Sequence, residues 1–393
     1  MTELASPNLP STTAPPVAPG LEGVVAAASR LSHVDGEAGE LLIAGFPLAE
    51  LASRAEFEDV VHLLWHDRLP RRDELATLAD ELAGARHLPV AVLDLLAAAA
   101  AAGAAPMDAL RAGVAALGMT GAAAPSPAED RRQAALLVGA TPSIVAAFHR
   151  LAHGLEPVSP RDDLALPSAF LHQLTGEVAS ADRCRALATY LVTVADHGLN
   201  ASTFTARVIA STGSDLVSAA AGAVGALKGP LHGGAPGPAL ETVFEIGRPE
   251  RAESVLAAKL AGGERLMGFG HRVYRVRDPR ADVLAEAARG FYLSGSGDRA
   301  LFDLARHVEE VALRLLAAHR PGRRLATNVE YYTALLLHGL ELPSELFTPT
   351  FAVGRMAGWT AHALEQRAAG KLIRPASTYV GRRGRRWQPV DRR

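Results

Sequence analysis

Several short stretches carry side chains that can move protons or grip an anion. The longest is Gly268-Phe269-Gly270-His271-Arg272-Val273-Tyr274-Arg275-Val276-Arg277-Asp278-Pro279-Arg280, which sets an imidazole behind two glycines, then three arginines, then a helix start. Asp278 is a preferred N-cap residue and Pro279 suits the first helical position. Arg280 then lies in the first turn of the helix that follows, where the helix field disfavours a cation. That cost makes sense if the arginine and the free backbone N–H groups together hold an anion. The alternative is a surface arginine paired with a nearby acid.

Two further histidines sit where helical runs break. His197 lies in Asp196-His197-Gly198-Leu199-Asn200, a polar turn; on its own such a histidine reads as structural. His232 lies in Lys228-Gly229-Pro230-Leu231-His232-Gly233-Gly234-Ala235-Pro236, a loop whose glycines let backbone approach a ligand closely. A helix starting near Pro238 disfavours the cationic imidazole, leaving a neutral donor; the other reading is a loop histidine without a role. Thr327-Asn328-Val329-Glu330 has the spacing of a capping box, with Glu330 satisfying a helix N-terminus. Arg355 and Arg374 follow, each an ordinary surface arginine if taken alone. No phosphate loop, H-E-x-x-H zinc pair, G-x-S-x-G elbow or G-x-G-x-x-G after a strand is present, so side chains must supply the chemistry.

The elements that must position these groups read as helices. Runs rich in alanine and leucine cover Asp73 to Ala83, Pro89 to Ala102, Pro106 to Leu117, Glu129 to Val138, Pro142 to His153, Asp163 to Leu174 and Ala181 to Asp196. Gly20 to Arg30 reads as a short helix, Leu41 to Phe46 as a β-hairpin, and Ser53 with Glu56 as the capped start of another helix. His62, His66, His87, His149, His153 and His172 fall on or beside these helices, in no metal-site motif, and read as packing or surface residues. Met1 to about Pro19, rich in Pro, Ser and Thr, reads as a disordered tail without a secretory or mitochondrial pattern. With 40 basic and 42 acidic residues, there is no global pull toward nucleic acid or an anionic membrane. The single cysteine, Cys184, excludes an internal disulfide and makes a cytoplasmic location the natural expectation.

G-F-G-H-R-V-Y-R-V-R-D-P-R resembles the signature of citrate synthases, and K-G-P-L-H-G-G-A is similar to a second motif of that family. The other groups appear in the family's order: His197, His232, the His271–Arg280 block, Glu330, then Arg355 and Arg374. The resemblance spans about Gly20 to Arg386. It implies an all-α, two-domain helical fold with a minor N-terminal β-hairpin. The large domain would take 20–232 and 337–393, and a smaller one 233–336. It also implies condensation of acetyl-CoA with oxaloacetate and water, without a prosthetic cofactor. His232, His271 and Glu330 would be catalytic; His197, Arg280, Arg355 and Arg374 would hold oxaloacetate. Leu266, Gly268, Gly270 and Arg275 would meet coenzyme A. A homodimer would place Arg374 in the partner's site. The family pattern has aspartate where this chain has Glu330, and an extra methylene moves the carboxylate oxygens. Alternatives are therefore a 2-methylcitrate synthase acting on propionyl-CoA, or a weakly active or non-catalytic regulatory homologue.

Overall fold

A three-stranded antiparallel sheet opens the larger of two units in this computed structural model, which describes residues 18–119, 126–233, 236–271, 273–322 and 325–393. Most of the stretch expected to be a tail, residues 1–17, lies outside the described residues. The smaller unit joins the described N-terminal residues up to Ala28 with Ile373–Arg393; the larger is Ser29–Leu372. In the smaller unit, short 3-10 turns at Pro19–Leu21 and Val390–Arg392 interrupt extended chain. Tyr379 there donates its hydroxyl proton to the Arg382 carbonyl at 2.8 Å. The helix expected over Gly20 to Arg30 does not form. Gly20 and Gly23 both take left-handed φ, and each glycine costs a helix interior about 1 kcal/mol relative to alanine.

In the larger unit, β1 (Ser32–Asp35), β2 (Glu40–Ile43) and β3 (Phe46–Pro47) extend the expected hairpin by one strand. Asp35 pairs with Glu40 across the first turn, and its carboxylate accepts the N–H groups of Glu37 and Ala38 at 2.9 Å. Sixteen α-helices follow among the described residues. They are α1 (Leu48–Arg54), α2 (Phe57–His66), α3 (Arg72–Ala85), α4 (Val90–Ala101), α5 (Pro106–Ala116), α6 (Pro127–Ala152), α7 (Leu166–Thr175) and α8 (Ala181–Val194). Then come α9 (Ala201–Ser211), α10 (Leu216–Leu227), α11 (Pro236–Ile246), α12 (Ala252–Ala261), α13 (Pro279–Leu293), α14 (Arg299–His319), α15 (Val329–Gly339) and α16 (Phe347–Ala369). Ser53 is inside α1; Glu56 caps α2 instead, its N–H held by the Asp59 carboxylate at 2.9 Å.

The two helices expected at 129–138 and 142–153 are one 26-residue helix, α6. Proline inside a helix forfeits one backbone hydrogen bond and costs about 3 kcal/mol. Burial on all sides offsets that cost: residues 139–148 are all buried, and the Thr141 hydroxyl donates to the Leu137 carbonyl at 2.6 Å. The helix is long and apolar enough to cross a bilayer, but 78% of that window is buried, as befits the centre of a core. Helices α3, α4, α5, α7 and α16 pack around it, while α13 joins α15 to α8.

Helix α16 approaches α8 through Gly354 and Gly358. A Cβ at Gly358 would lie 2.4 Å from the Ala195 carbonyl oxygen and 2.6 Å from Asp196 Oδ1, and the Gly358 N–H donates to that same carbonyl at 3.1 Å. Because the obstacle is backbone, Gly358→Ala is expected to cost about 1–3 kcal/mol, read as a lower urea midpoint. An unchanged midpoint would show that the two helices can part without penalty.

Candidate active site

The glycine-flanked His271 segment is stitched to the strand-like residues before α15. Gly270 N–H donates to the Ala326 carbonyl at 2.7 Å, Asn328 N–H to Gly268 at 3.0 Å, and the Asn328 side-chain amide to Gly270 at 2.8 Å. Gly268 needs its left-handed φ of 88° and has no room for a side chain, since a Cβ would meet the Tyr331 ring at 2.8 Å. Asn328 also caps α15, accepting the Glu330 N–H at 3.0 Å. The Thr327–Glu330 capping box therefore does not form. Thr327 turns away to donate to buried Glu309 at 2.6 Å, and Arg277 bridges the same pair at 2.7 and 3.1 Å. The Glu330 carboxyl is left without a hydrogen-bond or ion-pair partner among the described residues. Burial pushes its pKa above the ordinary carboxyl value, with Arg280 and Arg265 opposing.

Arg280 is paired with an acid, as the simpler reading has it, but the pair is buried. Asp278 accepts from Arg280 Nε at 3.1 Å, from Nη2 at 2.8 Å and from its backbone N–H at 3.0 Å. The same carboxylate takes the Val329 N–H at 3.3 Å, linking the starts of α13 and α15. His271 Nδ1 accepts the N–H groups of Val273 and Tyr274 at 3.1 and 3.2 Å. A neutral ring must then carry its proton on Nε2. That nitrogen lies 3.3 Å from Arg280 Nη2, so two donors face each other and call for an oxygen acceptor. Burial, then the Arg280 charge, brings His271 down to about 4, which keeps it neutral at physiological pH.

His197 closes this cluster. Its ring centre is 5.8 Å from that of His271, and its Nε2 is 3.1 Å from the Tyr274 hydroxyl. Burial holds its pKa well below the usual value. The preceding Asp196 is fully buried, accepting from Ser32 Oγ at 2.6 Å with His362 3.3 Å away. Arg355, also buried, donates Nε to the Val194 carbonyl at 2.6 Å and leaves Nη2 unpartnered. Burial, only partly offset by Asp196, pulls its pKa down to about 10.

His232 is held from the α9 and α16 side. Its Nε2 lies 2.7 Å from Ser202 Oγ and receives the Ser202 backbone N–H at 3.4 Å. Trp359 Nε1 donates to the same hydroxyl oxygen at 3.0 Å. Nε2 is thus an acceptor, and the proton of the neutral ring sits on Nδ1. Burial, then Arg355, brings His232 down to about 4.

The remaining expected residues are more scattered. The Leu266 side chain is buried in the core. Arg275 is exposed, with Glu37 3.9 Å away. Arg374 is exposed and belongs to the smaller unit. Ser202, Trp359 and Glu309 hold the site's groups without standing in any chemical motif of the sequence. Asn200, with a cap-forming side chain, marks a helix start that places Ser202 in its first turn.

With this geometry in view, a family model described as citrate synthase, C-terminal domain, matches residues 20–376. The chain belongs to the citrate synthase family. Among its relatives, citrate synthase 2 of Bacillus subtilis is 39% identical over 376 residues, covering 95% of this chain and 98% of that protein. A 2-methylcitrate synthase of Mycobacterium tuberculosis is 38% identical, covering 93% and 91%. A solved citrate synthase of Thermoplasma acidophilum, described as a ternary complex with carboxymethyl coenzyme A and oxaloacetate, superposes with a TM-score of 0.86 at 28% identity, covering 96% and 100%. The fold is the helical citrate synthase fold, and the family is one of acyltransferases.

Proposed function

We propose that the chain condenses acetyl-CoA with oxaloacetate and water to give citrate and coenzyme A. The observation that carries this reading is the half-buried carboxyl of Glu330, unpartnered among the described residues, on the same stitched backbone as His271. Arg280, Arg355 and His197 hold oxaloacetate, the two guanidinium groups gripping its carboxylates. Glu330 removes a proton from the acyl methyl group. His232 donates its Nδ1 proton as a hydrogen bond to the enolate-like thioester oxygen. The methyl carbon then bonds to the oxaloacetate carbonyl carbon, while His271 Nε2–H polarises and protonates the carbonyl oxygen. Water cleaves the C–S bond of citryl-CoA, and the thiolate leaves with a proton.

Coenzyme A runs along the backbone of Leu266, Gly268 and Gly270 with its phosphates toward Arg275. Residues 233–336 close over the rest as a smaller domain and exclude water. A cytoplasmic homodimer, with Arg374 completing the partner's site, is the working assembly.

The test is oxaloacetate-dependent release of free thiol from acetyl-CoA. Its absence would favour a non-catalytic homologue. The Mycobacterium tuberculosis relative supports a second reading, in which propionyl-CoA is the preferred thioester. One methylene changes kcat/KM by about 10–200-fold, so comparing the two thioesters decides between them.

A further inference from the structure

We propose that His149, His153 and Glu345 form a binding site for a zinc-class divalent cation that ties the C-terminal end of α6 to the start of α16. The two imidazoles are one helical turn apart, with ring centres separated by 4.4 Å, and Glu345 comes from the 3-10 turn Ser344–Leu346. One ligand atom from each residue lies within 4.8 Å of the other two. Tetrahedral zinc with nitrogen and oxygen ligands at about 2.0–2.2 Å needs those atoms roughly 3.3 Å apart, a closure that partly exposed side chains make by rotation.

The protonation pattern is already set for ligation. His153 Nδ1 lies 2.8 Å from the His149 carbonyl oxygen, which can only accept. His153 therefore carries its proton on Nδ1 and presents the Nε2 lone pair, with a backbone carbonyl orienting the ring as is usual for a metal-bound histidine. Neither His149 nitrogen, nor the Glu345 carboxylate, has a hydrogen-bond or ion-pair partner among the described residues.

The surrounding charge also suits a cation. The site includes one acidic side chain, and the carbonyl end of α6 adds partial negative charge. Arg150, the nearest cation in sequence, is engaged elsewhere, donating to the Glu156 and Leu174 carbonyls at 2.6 and 3.1 Å. Two imidazoles and a carboxylate favour zinc over the oxygen-seeking magnesium and calcium. The clip has a structural consequence within reach of the active site. Thr348, three residues beyond Glu345, donates to the Gly233 carbonyl at 2.7 Å, next to His232.

Zinc titration by calorimetry on the chelator-treated full chain, with cobalt absorption as a readout of tetrahedral geometry, tests this. The wild-type chain is expected to bind one equivalent that His149→Ala/His153→Ala lacks, and Glu345→Gln is expected to weaken that equivalent about tenfold or more. Glu345→Gln preserves shape and breaks no hydrogen bond among the described residues, so its result does not depend on folding of the double variant. Zinc should raise Tm of the wild type and leave that of the double variant unchanged. Equal zinc binding by the wild type and both variants would place the metal elsewhere, for instance on His197, His232 and His271, and overturn the proposal. Absence of binding by the wild type would do the same.

Discussion

Glu330→Gln is expected to lower kcat by about 10²–10⁴-fold, the usual contribution of a positioned general base, while raising the melting temperature at pH 7. Both effects come from one fact. The carboxyl is half-buried without a partner among the described residues, and desolvation raises its pKa above the ordinary value despite Arg280 and Arg265. The sign follows from linkage: a folded-state pKa above the unfolded one means that ionisation costs the fold. That cost is absent below the unfolded carboxyl pKa and complete above the raised folded one. The stability gain of the glutamine variant is therefore largest at neutral pH and fades as pH falls toward the ordinary carboxyl range. Wild-type turnover should fall on the acid side through that same raised pKa, higher than a free glutamate would give. Calorimetry and a pH–rate profile read the two halves. A variant that melts lower while turning over normally would overturn both the base role and the desolvation cost assigned to Glu330.

Arg280→Leu is expected to cost about 3–5 kcal/mol of stability, the penalty for stranding one member of a buried ion pair. Side-chain exposure is 5% for Arg280 and 1% for Asp278, so water cannot replace the lost guanidinium. Adding Asp278→Asn should recover part of the loss, because asparagine keeps the cap on α13 and sheds the charge. The imidazole of His271 should titrate higher in Arg280→Leu, since the Arg280 charge is the second cause of its depressed pKa after burial. Urea unfolding and NMR titration of His271 check the pair. Stability within experimental error of wild type would mean that Asp278 finds another cation.

The helical class and the order of the chemical groups are legible in the sequence because both are written locally. Alanine-rich runs at helical spacing need no distant partner to be recognised, and the motifs around His232 and His271 are contiguous. What the sequence hides is competition for a side chain. Thr327 and Glu330 have capping-box spacing, yet Thr327 is claimed by Glu309, 18 residues away, and Asn328 takes over the cap. Ser202 and Trp359 are far apart along the chain and meet only because α16 crosses α9, so their hold on His232 leaves no linear trace. Pro142 reads as a break because propensity counts the missing hydrogen bond and cannot count burial on every side. The same holds for His149 and His153. Their spacing of four is ordinary for a helix, and the third ligand, Glu345, arrives from nearly two hundred positions downstream.

The seam between Gly268–Gly270 and Ala326–Asn328 makes the imidazole of His271 and the carboxyl of Glu330 travel as a single rigid part. The backbone under Glu330 is fixed by that seam, so the longer acid carries its oxygens farther out than an aspartate there would. The difference in reach must be taken up by how far the thioester slides in before its methyl meets the acid. With Glu330 as the proposed base, selection between short acyl groups is expected to turn on depth of insertion along one axis.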